Sequence, residues 1–404
     1  MINLKKILII LLLCTAIPIV YGEDIIEEKE QIAIENSTIS ETDTLNLAPN
    51  AKSAIMIEAS TGKIIYEKNA DEQLSIASMT KMMTMLLIME NIENENLKWD
   101  EIITTSEHAS SMGGSQIFLE VGEQMTVEDL VKGISIASGN DAAVAMAERI
   151  GGTEANFVKM MNDKAKSLGL KNTNFQNACG LDTDNHYSSA RDMALIAKEL
   201  VKYEKILEYT GTYEDYLRKN TDNSFWLVNT NKLVRYYQGV DGLKTGYTSD
   251  AGYCITTTAK RNGMRLITVV IGEPTSAIRN SETTTMLDYG FNNYHLDMIL
   301  SKDYVISKEK VDLGEKNTVE VIPKEDITIL NTKTGTKRNV TYKIELKNIK
   351  APLKEGDKVG IIKILEDNRV IMTIDAVAKN NIKKLNIITA YYRELLSIIK
   401  GDLK

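Results

Sequence analysis

The order of the predicted elements indicates an α/β (α+β) domain followed by a small β-rich domain. Two short β-rich runs come first, at residues 53–57 and 63–68, and a Gly-containing turn joins them. Helical patterns recur between residues 78 and 203, and strand patterns return at residues 252–272. Strands on both sides of a helical region predict one sheet that is assembled from distant parts of the chain.

Local signals support this order of elements. An Asn-Gly turn at residues 262–263 predicts a hairpin, and Ser188 or Ser189 is expected to cap the helix that contains Asp192. Beyond residue 300 only short β runs occur. Helices are predicted at residues 78–92, 126–150, 156–168, 189–203 and 276–289, and late strands at residues 319–322, 341–347 and 370–377.

The two ends of the chain differ from its body. Residues 1–22 join two lysines to a short apolar run and small residues, which predicts an export signal. Residues 23–47 are acidic and polar, so we expect a flexible leader. Residues 383–404 repeat apolar side chains at spacings of three and four, which predicts an amphipathic helix. The domains between these segments are predicted at residues 48–298 and 299–382.

Alternatives stay open for both ends. The first apolar run is short for a membrane span of about 20 residues, yet it is compatible with an uncleaved anchor. The terminal helix begins after Lys383 and Lys384, and a cationic amphipathic helix can lie in a bilayer surface. It can also pack on its own domain or on a partner. We favour the membrane surface because an export signal precedes the domains.

Composition excludes one broad class of function. The formal net charge is −8, whereas general nucleic-acid binders present a basic surface that displaces counterions from phosphate. The three histidines, His108, His186 and His295, do not have the spacing of paired helical metal ligands. We therefore expect no nucleic-acid partner, no metal and no cofactor. Cys179 and Cys254 can pair or stay free, and buried free thiols are the expectation.

Ser78-Met79-Thr80-Lys81 places a hydroxyl and an amine one helical turn apart, near the start of a helix. A serine hydroxyl becomes a strong nucleophile when a base takes its proton, and a neutral lysine amine can be that base. Lysine is protonated at pH 7 unless burial or a neighbouring cation lowers its pKa. We expect a second lysine to provide that cation, and the helix N-terminus to offer N–H groups to an oxyanion.

Short motifs of this kind also occur by chance. Ser-x-x-Lys recurs at Ser60-Lys63, Ser307-Lys310 and Ser397-Lys400. Lys-Thr-Gly occurs at residues 244–246 and again at residues 333–335, where the surrounding polar residues predict an exposed loop. One occurrence alone therefore indicates nothing more than a solvated lysine beside a serine.

Three motifs in a fixed order carry more information. Ser78-x-x-Lys81 opens a helix, Ser138-Gly139-Asn140 interrupts a helical region, and Lys244-Thr245-Gly246 precedes a strand hairpin. This order resembles the active-serine penicillin-binding proteins and serine β-lactamases. The longer strings around the motifs, together with Ser189-Ala190-Arg191-Asp192-Met193-Ala194, resemble the low-molecular-mass D-alanyl-D-alanine carboxypeptidases.

The resemblance extends from about residue 48 to residue 294. It implies a serine β-lactamase/transpeptidase-like catalytic domain with a helical subdomain, and that family also carries a β-rich domain and a terminal amphipathic helix. It further implies peptidoglycan pentapeptide stems as substrate and β-lactam antibiotics as acylating inhibitors. The expected location is the outer face of the cytoplasmic membrane or the cell wall.

The resemblance also implies a role for each motif residue. Ser78 would attack the carbonyl between two terminal D-alanines and form an acyl-enzyme, with Lys81 as the general base. Ser138 would transfer protons between Lys81 and Lys244. Asn140 would hold the substrate amide and help to position Lys81.

Five further groups would bind the substrate. Lys244 and Thr245 would face the terminal carboxylate, and Gly246 would leave room for a substrate strand at the sheet edge. The N–H groups of Tyr247 and of the nucleophile would form the oxyanion hole. Relatives often hold histidine where Tyr247 stands. Arg279, on a strand-to-helix connection, matches the carboxylate-binding arginine of the family.

Other functions would use the same residues. A D,D-endopeptidase would need the same site. One major class of β-lactamase needs a Glu-x-x-Leu-Asn string between the second and third motifs, and the chain has none there. A non-catalytic wall-binding scaffold has no physical reason to keep a serine, two lysines and an asparagine at these places.

Overall fold

The computed structural model describes residues 45–219, 221–335, 338–386, 389 and 391. The predicted export signal, nearly all of the predicted leader, and residues 387–388, 390 and 392–404 of the predicted terminal helix lie outside these residues. The helices are α1 (Lys81–Glu93), α2 (Glu107–Ser110), α3 (Val127–Ser135), α4 (Asn140–Gly151), α5 (Glu154–Ser167), α6 (Ala190–Leu200), α7 (Glu204–Thr210), α8 (Leu233–Tyr236) and α9 (Ser276–Asn293).

The strands alternate with these helices and then dominate the end of the chain. They are β1 (Ser53–Glu58), β2 (Ile64–Lys68), β3 (Ile102–Thr104), β4 (Gln124–Thr126), β5 (Glu214–Leu217), β6 (Phe225–Val228), β7 (Val240–Thr248), β8 (Gly252–Arg261), β9 (Met264–Glu273), β10 (Tyr294–Leu300), β11 (Ser307–Lys310), β12 (Thr318–Pro323), β13 (Ile327–Thr332), β14 (Val340–Leu346), β15 (Lys358–Glu366) and β16 (Arg369–Ala378).

The main sheet is built from both ends of the first domain, as predicted. Its strand order is β2-β1-β9-β8-β7, and every neighbouring pair is antiparallel. Strand β1 pairs with β9, so that Ser53 lies opposite Ile271. Strand β7 therefore forms one edge of the sheet. The α/β prediction is confirmed.

Layers of helix cover both faces of this sheet. Because side chains alternate along a strand, Ile55 and Ile57 pack into the core against the helical subdomain, while Ala54 and Met56 pack against α9. Strand β1 is consequently buried along its whole length, and its residues 54–57 are a continuous apolar run. Helix α1 is buried over most of its surface, which its Met- and Leu-rich sequence explains.

The C-terminal domain is β-rich, as predicted. Strands β11-β12-β16-β15-β14 form a five-stranded sheet, and β10 pairs with β13. Residues such as Val321, Ile362 and Ile374 form a core of their own. The predicted boundary between residues 298 and 299 falls within β10. This strand is continuous with the end of α9 yet pairs with the C-terminal domain.

Two smaller features concern the cysteines and the hydropathy of the helices. Cys179 and Cys254 are both buried free thiols, as expected. Across the part of the chain that is described, no helix is long and apolar enough to cross a membrane.

Ser189 is the N-cap of α6, and its hydroxyl accepts a hydrogen bond from the Asp192 backbone N–H at 3.2 Å. Ser189→Ala leaves this buried N–H without its partner, so we expect the free energy of unfolding to fall by about 1 kcal/mol in urea denaturation. Ser167→Ala, at the exposed end of α5, is the control and should change it by less than about 0.5 kcal/mol. An equal loss in both variants would contradict the capping role.

Candidate active site

The nucleophile lies on a tight turn that leads into α1. A 3₁₀ turn covers Ala77–Thr80, and Lys81 is the first residue of the helix. Ala77 has a φ of +46°, which an L-residue rarely adopts and which marks local strain before the serine. Lys81 Nζ donates a hydrogen bond to Ser78 Oγ at 2.9 Å. The spacing that the sequence predicts therefore brings the two groups into direct contact.

Lys81 is fully buried and has two further acceptors. Its Nζ donates to Asn140 Oδ1 at 2.6 Å and to the Cys179 carbonyl oxygen at 2.7 Å. Three acceptors match the three N–H groups of an ammonium ion. When the amine loses one proton, its lone pair can point to the Ser78 hydroxyl while the other two N–H groups stay bonded. The geometry thus holds the base in place through both protonation states.

Burial changes the acidity of this lysine. It lowers the pKa of Lys81 to about 8, against smaller opposing effects from Cys179 and Asp141. Of the two causes that the sequence analysis names, burial accounts for the shift, and the expected second lysine is not among its causes. Lys244 is itself buried, and its pKa lies well below the ordinary value because of burial and then because of the charges of Lys81 and Arg279.

The second motif lies between α3 and α4. Asn140 opens α4, and its Nδ2 donates to the Gly113 carbonyl at 2.7 Å while its Oδ1 receives Lys81. The side-chain amide is therefore fixed in orientation. Ser138 adopts a φ of +66° and is buried, and its hydroxyl has no hydrogen-bond partner among the described residues. Its role in proton transfer stays a prediction.

The third motif lies in the edge strand β7, which precedes the hairpin of β8 and β9, as predicted. Lys244, Thr245 and Gly246 are all within β7, paired with Thr256, Ile255 and Cys254 of β8. Lys244 Nζ donates to the Thr245 carbonyl at 3.1 Å, and Thr245 Oγ1 donates to Thr230 Oγ1 at 2.8 Å. An edge strand offers its free backbone groups to an extended ligand, so its position suits the predicted substrate strand.

Gly246 has a more specific reason to be glycine than the predicted room for substrate. A Cβ at this position would lie 2.8 Å from the Ile76 carbonyl oxygen and 3.1 Å from the Ser78 backbone nitrogen. The missing side chain therefore lets β7 pack directly on the nucleophile turn. The close packing also brings the Ser78 N–H next to Gly246, which precedes Tyr247 in the chain. The shared role of the Ser78 and Tyr247 N–H groups in binding an oxyanion stays a prediction.

Two predicted binding residues differ in exposure. Tyr247 is exposed at the end of β7, and its ring packs on Tyr253 with centroids 4.4 Å apart. Arg279 lies in the first turn of α9 rather than on the connection before it, and it is buried. Its Nη1 donates to the Cys254 carbonyl at 3.4 Å, and its Nε and Nη2 donate to Asn280 Oδ1.

Two groups that contact the site residues belong to none of the three sequence motifs. The Cys179 carbonyl reaches Lys81 because Gly180, at φ +85°, packs on Ala77; a Cβ there would lie 2.0 Å from the Ala77 carbonyl oxygen. A backbone carbonyl leaves no signal in side-chain pattern. The glycine after Cys179 was the one sequence feature that could indicate a close backbone contact here.

His186 is the other residue that the sequence did not indicate. Its Nδ1 accepts the Gln176 backbone N–H at 3.1 Å, so Nε2 carries the proton and donates to Thr80 Oγ1 at 2.8 Å. Burial lowers the pKa of His186 to about 4, which keeps the ring neutral. Through its bond to Thr80, the neutral ring stabilises the turn between Ser78 and Lys81.

The other occurrences of the motifs lie elsewhere. Ser60 is in the turn between β1 and β2 and bonds Glu58, whereas Ser307 and Lys310 lie on strand β11. Lys333 follows β13 in an exposed turn, as predicted, and donates to the Phe291 carbonyl. Ser397 and Lys400 are outside the described residues.

Comparison with known proteins agrees with this geometry. The family described as D-alanyl-D-alanine carboxypeptidase matches residues 38–275, and the family described as penicillin-binding protein 5, C-terminal domain, matches residues 294–384. The chain belongs to the D-alanyl-D-alanine carboxypeptidase family. D-alanyl-D-alanine carboxypeptidase DacF of Bacillus subtilis is 52% identical over 353 residues, which cover 87% of this chain and 91% of that protein.

Solved structures of the family are similar over 60% to 83% of this chain. Penicillin binding protein 5 from Haemophilus influenzae has a TM-score of 0.66 at 34% identity and covers 83% of this chain and 98% of its own. Penicillin-binding protein D2 from Listeria monocytogenes, in its cefotaxime-bound form, has a TM-score of 0.55 at 35% identity. It covers 60% of this chain and 97% of its own. The predicted family is confirmed, and so is the predicted fold of the catalytic domain and of the β-rich domain.

The acidity of Lys81 predicts a pH profile. With a pKa of about 8, about one tenth of the amine is neutral at pH 7 and half at pH 8. We expect the second-order rate constant for acylation by benzylpenicillin to rise about fivefold over this unit and then level off. Stopped-flow measurements at constant ionic strength test this. A profile that is flat from about pH 6.5 to pH 9 would exclude Lys81 as the titrating base.

The packing of Gly246 predicts a local loss of function. Gly246→Ala pushes β7 away from the Ser78 turn, so we expect acylation by benzylpenicillin to slow by tenfold or more, since a displacement of about 1 Å at a reacting centre can cost about 100-fold. Gly356→Ala is the control, because it strains a φ of +84° in the C-terminal domain without a clash. Similar losses in both variants would mean that general destabilisation, not the site, is responsible.

Proposed function

We propose that this protein is a serine-type D-alanyl-D-alanine carboxypeptidase that removes the terminal D-alanine from peptidoglycan stem peptides. The observation that carries the proposal is the hydrogen-bonded set of Ser78, buried Lys81 and Asn140 at the edge of β7. Family membership supplies the substrate class, and the geometry supplies a nucleophile with its base in contact.

The proposed reaction begins with acylation of the serine. Lys81 takes the proton from Ser78 Oγ as this oxygen attacks the carbonyl carbon between the two D-alanines. The oxyanion is received by the backbone N–H groups of Ser78 and Tyr247. As the peptide bond breaks, the nitrogen of the leaving D-alanine gains a proton, which returns from Lys81 through Ser138 and Lys244.

Hydrolysis of the acyl-enzyme completes the cycle. Lys81 takes a proton from a water molecule, whose oxygen attacks the ester carbonyl carbon. The ester bond to Ser78 Oγ then breaks, and the serine oxygen regains its proton from Lys81. The shortened stem peptide leaves with a new carboxylate, and the enzyme returns to its starting state.

Two buried basic side chains favour a substrate with a free carboxylate. Lys244 and Arg279 form no ion pair with a carboxylate among the described residues. A buried cation without a counter-ion is costly, so an arriving anion gains from Arg279 and also favours the protonated form of Lys244. The terminal carboxylate of a D-alanyl-D-alanine peptide fits this requirement.

The same nucleophile should react with β-lactams. Penicillin-binding protein D2 from Listeria monocytogenes has been solved in cefotaxime-bound and ampicillin-bound forms. We propose that such compounds acylate Ser78 here, with their carboxylate directed to Lys244, Thr245 and Arg279.

The site of action is also a proposal. The lysines and apolar run of residues 1–22 support export, and the amphipathic pattern of residues 383–404 supports attachment to the outer face of the cytoplasmic membrane. Peptidoglycan stems are accessible there.

Release of D-alanine tests the proposed activity. The full chain should release D-alanine from a lysyl-D-alanyl-D-alanine peptide, and Ser78→Ala should reduce the rate by about 1,000-fold or more because the covalent route is lost. Ser307→Ala makes the same substitution in a Ser-x-x-Lys sequence outside the site and should keep the full rate. Release by Ser78→Ala at the parent rate would overturn the mechanism, and no release by the folded parent would overturn the activity.

A further inference from the structure

A buried carboxyl group that the mechanism does not use lies beside Arg279. Glu273 ends β9 and is only 1% exposed, and neither carboxyl oxygen receives an N–H or O–H donor from the described residues. Its carboxyl group faces the carboxyl group of Glu282 of α9, and the two groups interact. Two carboxyl groups can share a hydrogen bond only through a proton, so one of them is a neutral acid.

Asn50 determines which of the two is neutral. Its backbone N–H donates to Glu282 Oε1 at 3.0 Å, and its Nδ2 donates to the same oxygen at 2.6 Å. These two donors stabilise the ionised form of Glu282, whereas Glu273 has no such donor, so the proton resides on Glu273. Burial, followed by the bond to Glu282 and its charge, raises the pKa of Glu273 to about 8.

Arg279 lies one helical turn before Glu282. Three of its five N–H groups donate to Asn280 and to the Cys254 carbonyl, which leaves two for a ligand. Ionised Glu273 would attract the guanidinium, because the two groups interact electrostatically across the end of the sheet. A neutral Glu273 provides no such counter-ion.

Other charged or titratable groups also face this position. Lys68 of β2 attracts ionised Glu273, and Lys52, before β1, lies against Gly272. Cys254 of β8 interacts with Glu273 and Arg279, and burial raises its pKa to about 11, so its thiol stays neutral. Tyr253 of β8 also faces Arg279. None of these groups supplies Arg279 with a carboxylate.

We propose that Glu273 is a positioning residue. As a neutral acid bonded to Glu282, it does not act as a counter-ion for Arg279, so the guanidinium stays available to bind the substrate carboxylate. Once Glu273 ionises, it competes with the substrate for Arg279. The inference rests on the proposed carboxypeptidase function, and it adds a pH-dependent control of substrate binding.

Glu273→Gln tests the inference, because glutamine stays neutral at every pH and can still donate to Glu282. KM and kcat for the lysyl-D-alanyl-D-alanine peptide are measured for the full chain from about pH 6.5 to pH 9.5. The ratio of parent KM to variant KM should be close to one at the acid end and should rise about fivefold or more at the alkaline end. The ratio of kcat values should stay level.

Glu282→Gln gives an independent result in the opposite direction. Its amide can donate to ionised Glu273 and removes the neighbouring negative charge, so the rise in KM should begin at lower pH than in the parent. Glu101→Gln, which breaks an ion pair with Arg149 on the helical side, should behave as the parent does. Thermal unfolding confirms that each variant is folded.

The outcomes separate this inference from the proposed function. A KM ratio that does not change with pH, or a Glu282→Gln profile equal to the parent profile, overturns the role of Glu273 while activity is intact. If Glu273→Gln fails to fold, the Glu282→Gln profile alone decides in the same way. A folded parent that releases no D-alanine overturns the proposed function instead.

Discussion

Burial of the Lys81 amine is the constraint on which the rest of the site depends. Water would hold the amine protonated, and a protonated amine cannot take a proton from Ser78. Burial lowers the pKa of Lys81 to about 8, and it also requires that every N–H of the amine find an acceptor. Ser78, Asn140 and the Cys179 carbonyl meet that requirement. The same contacts that stabilise the buried group therefore aim it at the nucleophile.

The fold brings these acceptors together from distant parts of the chain. The turn before α1 supplies the serine, the start of α4 supplies the asparagine, and a glycine-dependent loop supplies the carbonyl. Strand β7 closes the arrangement from the sheet edge, where Gly246 permits contact with the turn. Close packing at these few points holds the groups within hydrogen-bond distance without a metal or cofactor taking part in the proposed steps.

Much of this arrangement could be predicted from sequence because its signals are local. Ser78 and Lys81 are one helical turn apart, and Asn140 begins a helix after a break in apolar periodicity. The β-branched and apolar residues of β8 and β9, with Asn262-Gly263 between them, predict their hairpin. These patterns depend on residues that are neighbours along the chain.

The parts that were missed depend on tertiary contact. Strand β7 was expected from the resemblance alone, because its two glycines, aspartate and lysine do not indicate a strand by composition; pairing with β8 makes it one. The bond from His186 to Thr80 joins residues 106 positions apart. Burial rather than a neighbouring lysine lowers the pKa of Lys81, and the burial of a lysine is decided by the whole fold rather than by a neighbouring motif.

The most direct test of this account is the titration of Lys81 itself. The full chain can be labelled with ¹³Cε-lysine, and the Lys81 signal can be assigned by its absence from Lys81→Arg. The account predicts that this signal titrates at about pH 8 while exposed lysines titrate near their ordinary value of about 10.4. A Lys81 signal that titrates together with the exposed lysines would contradict the claim that a buried, neutralisable amine activates Ser78.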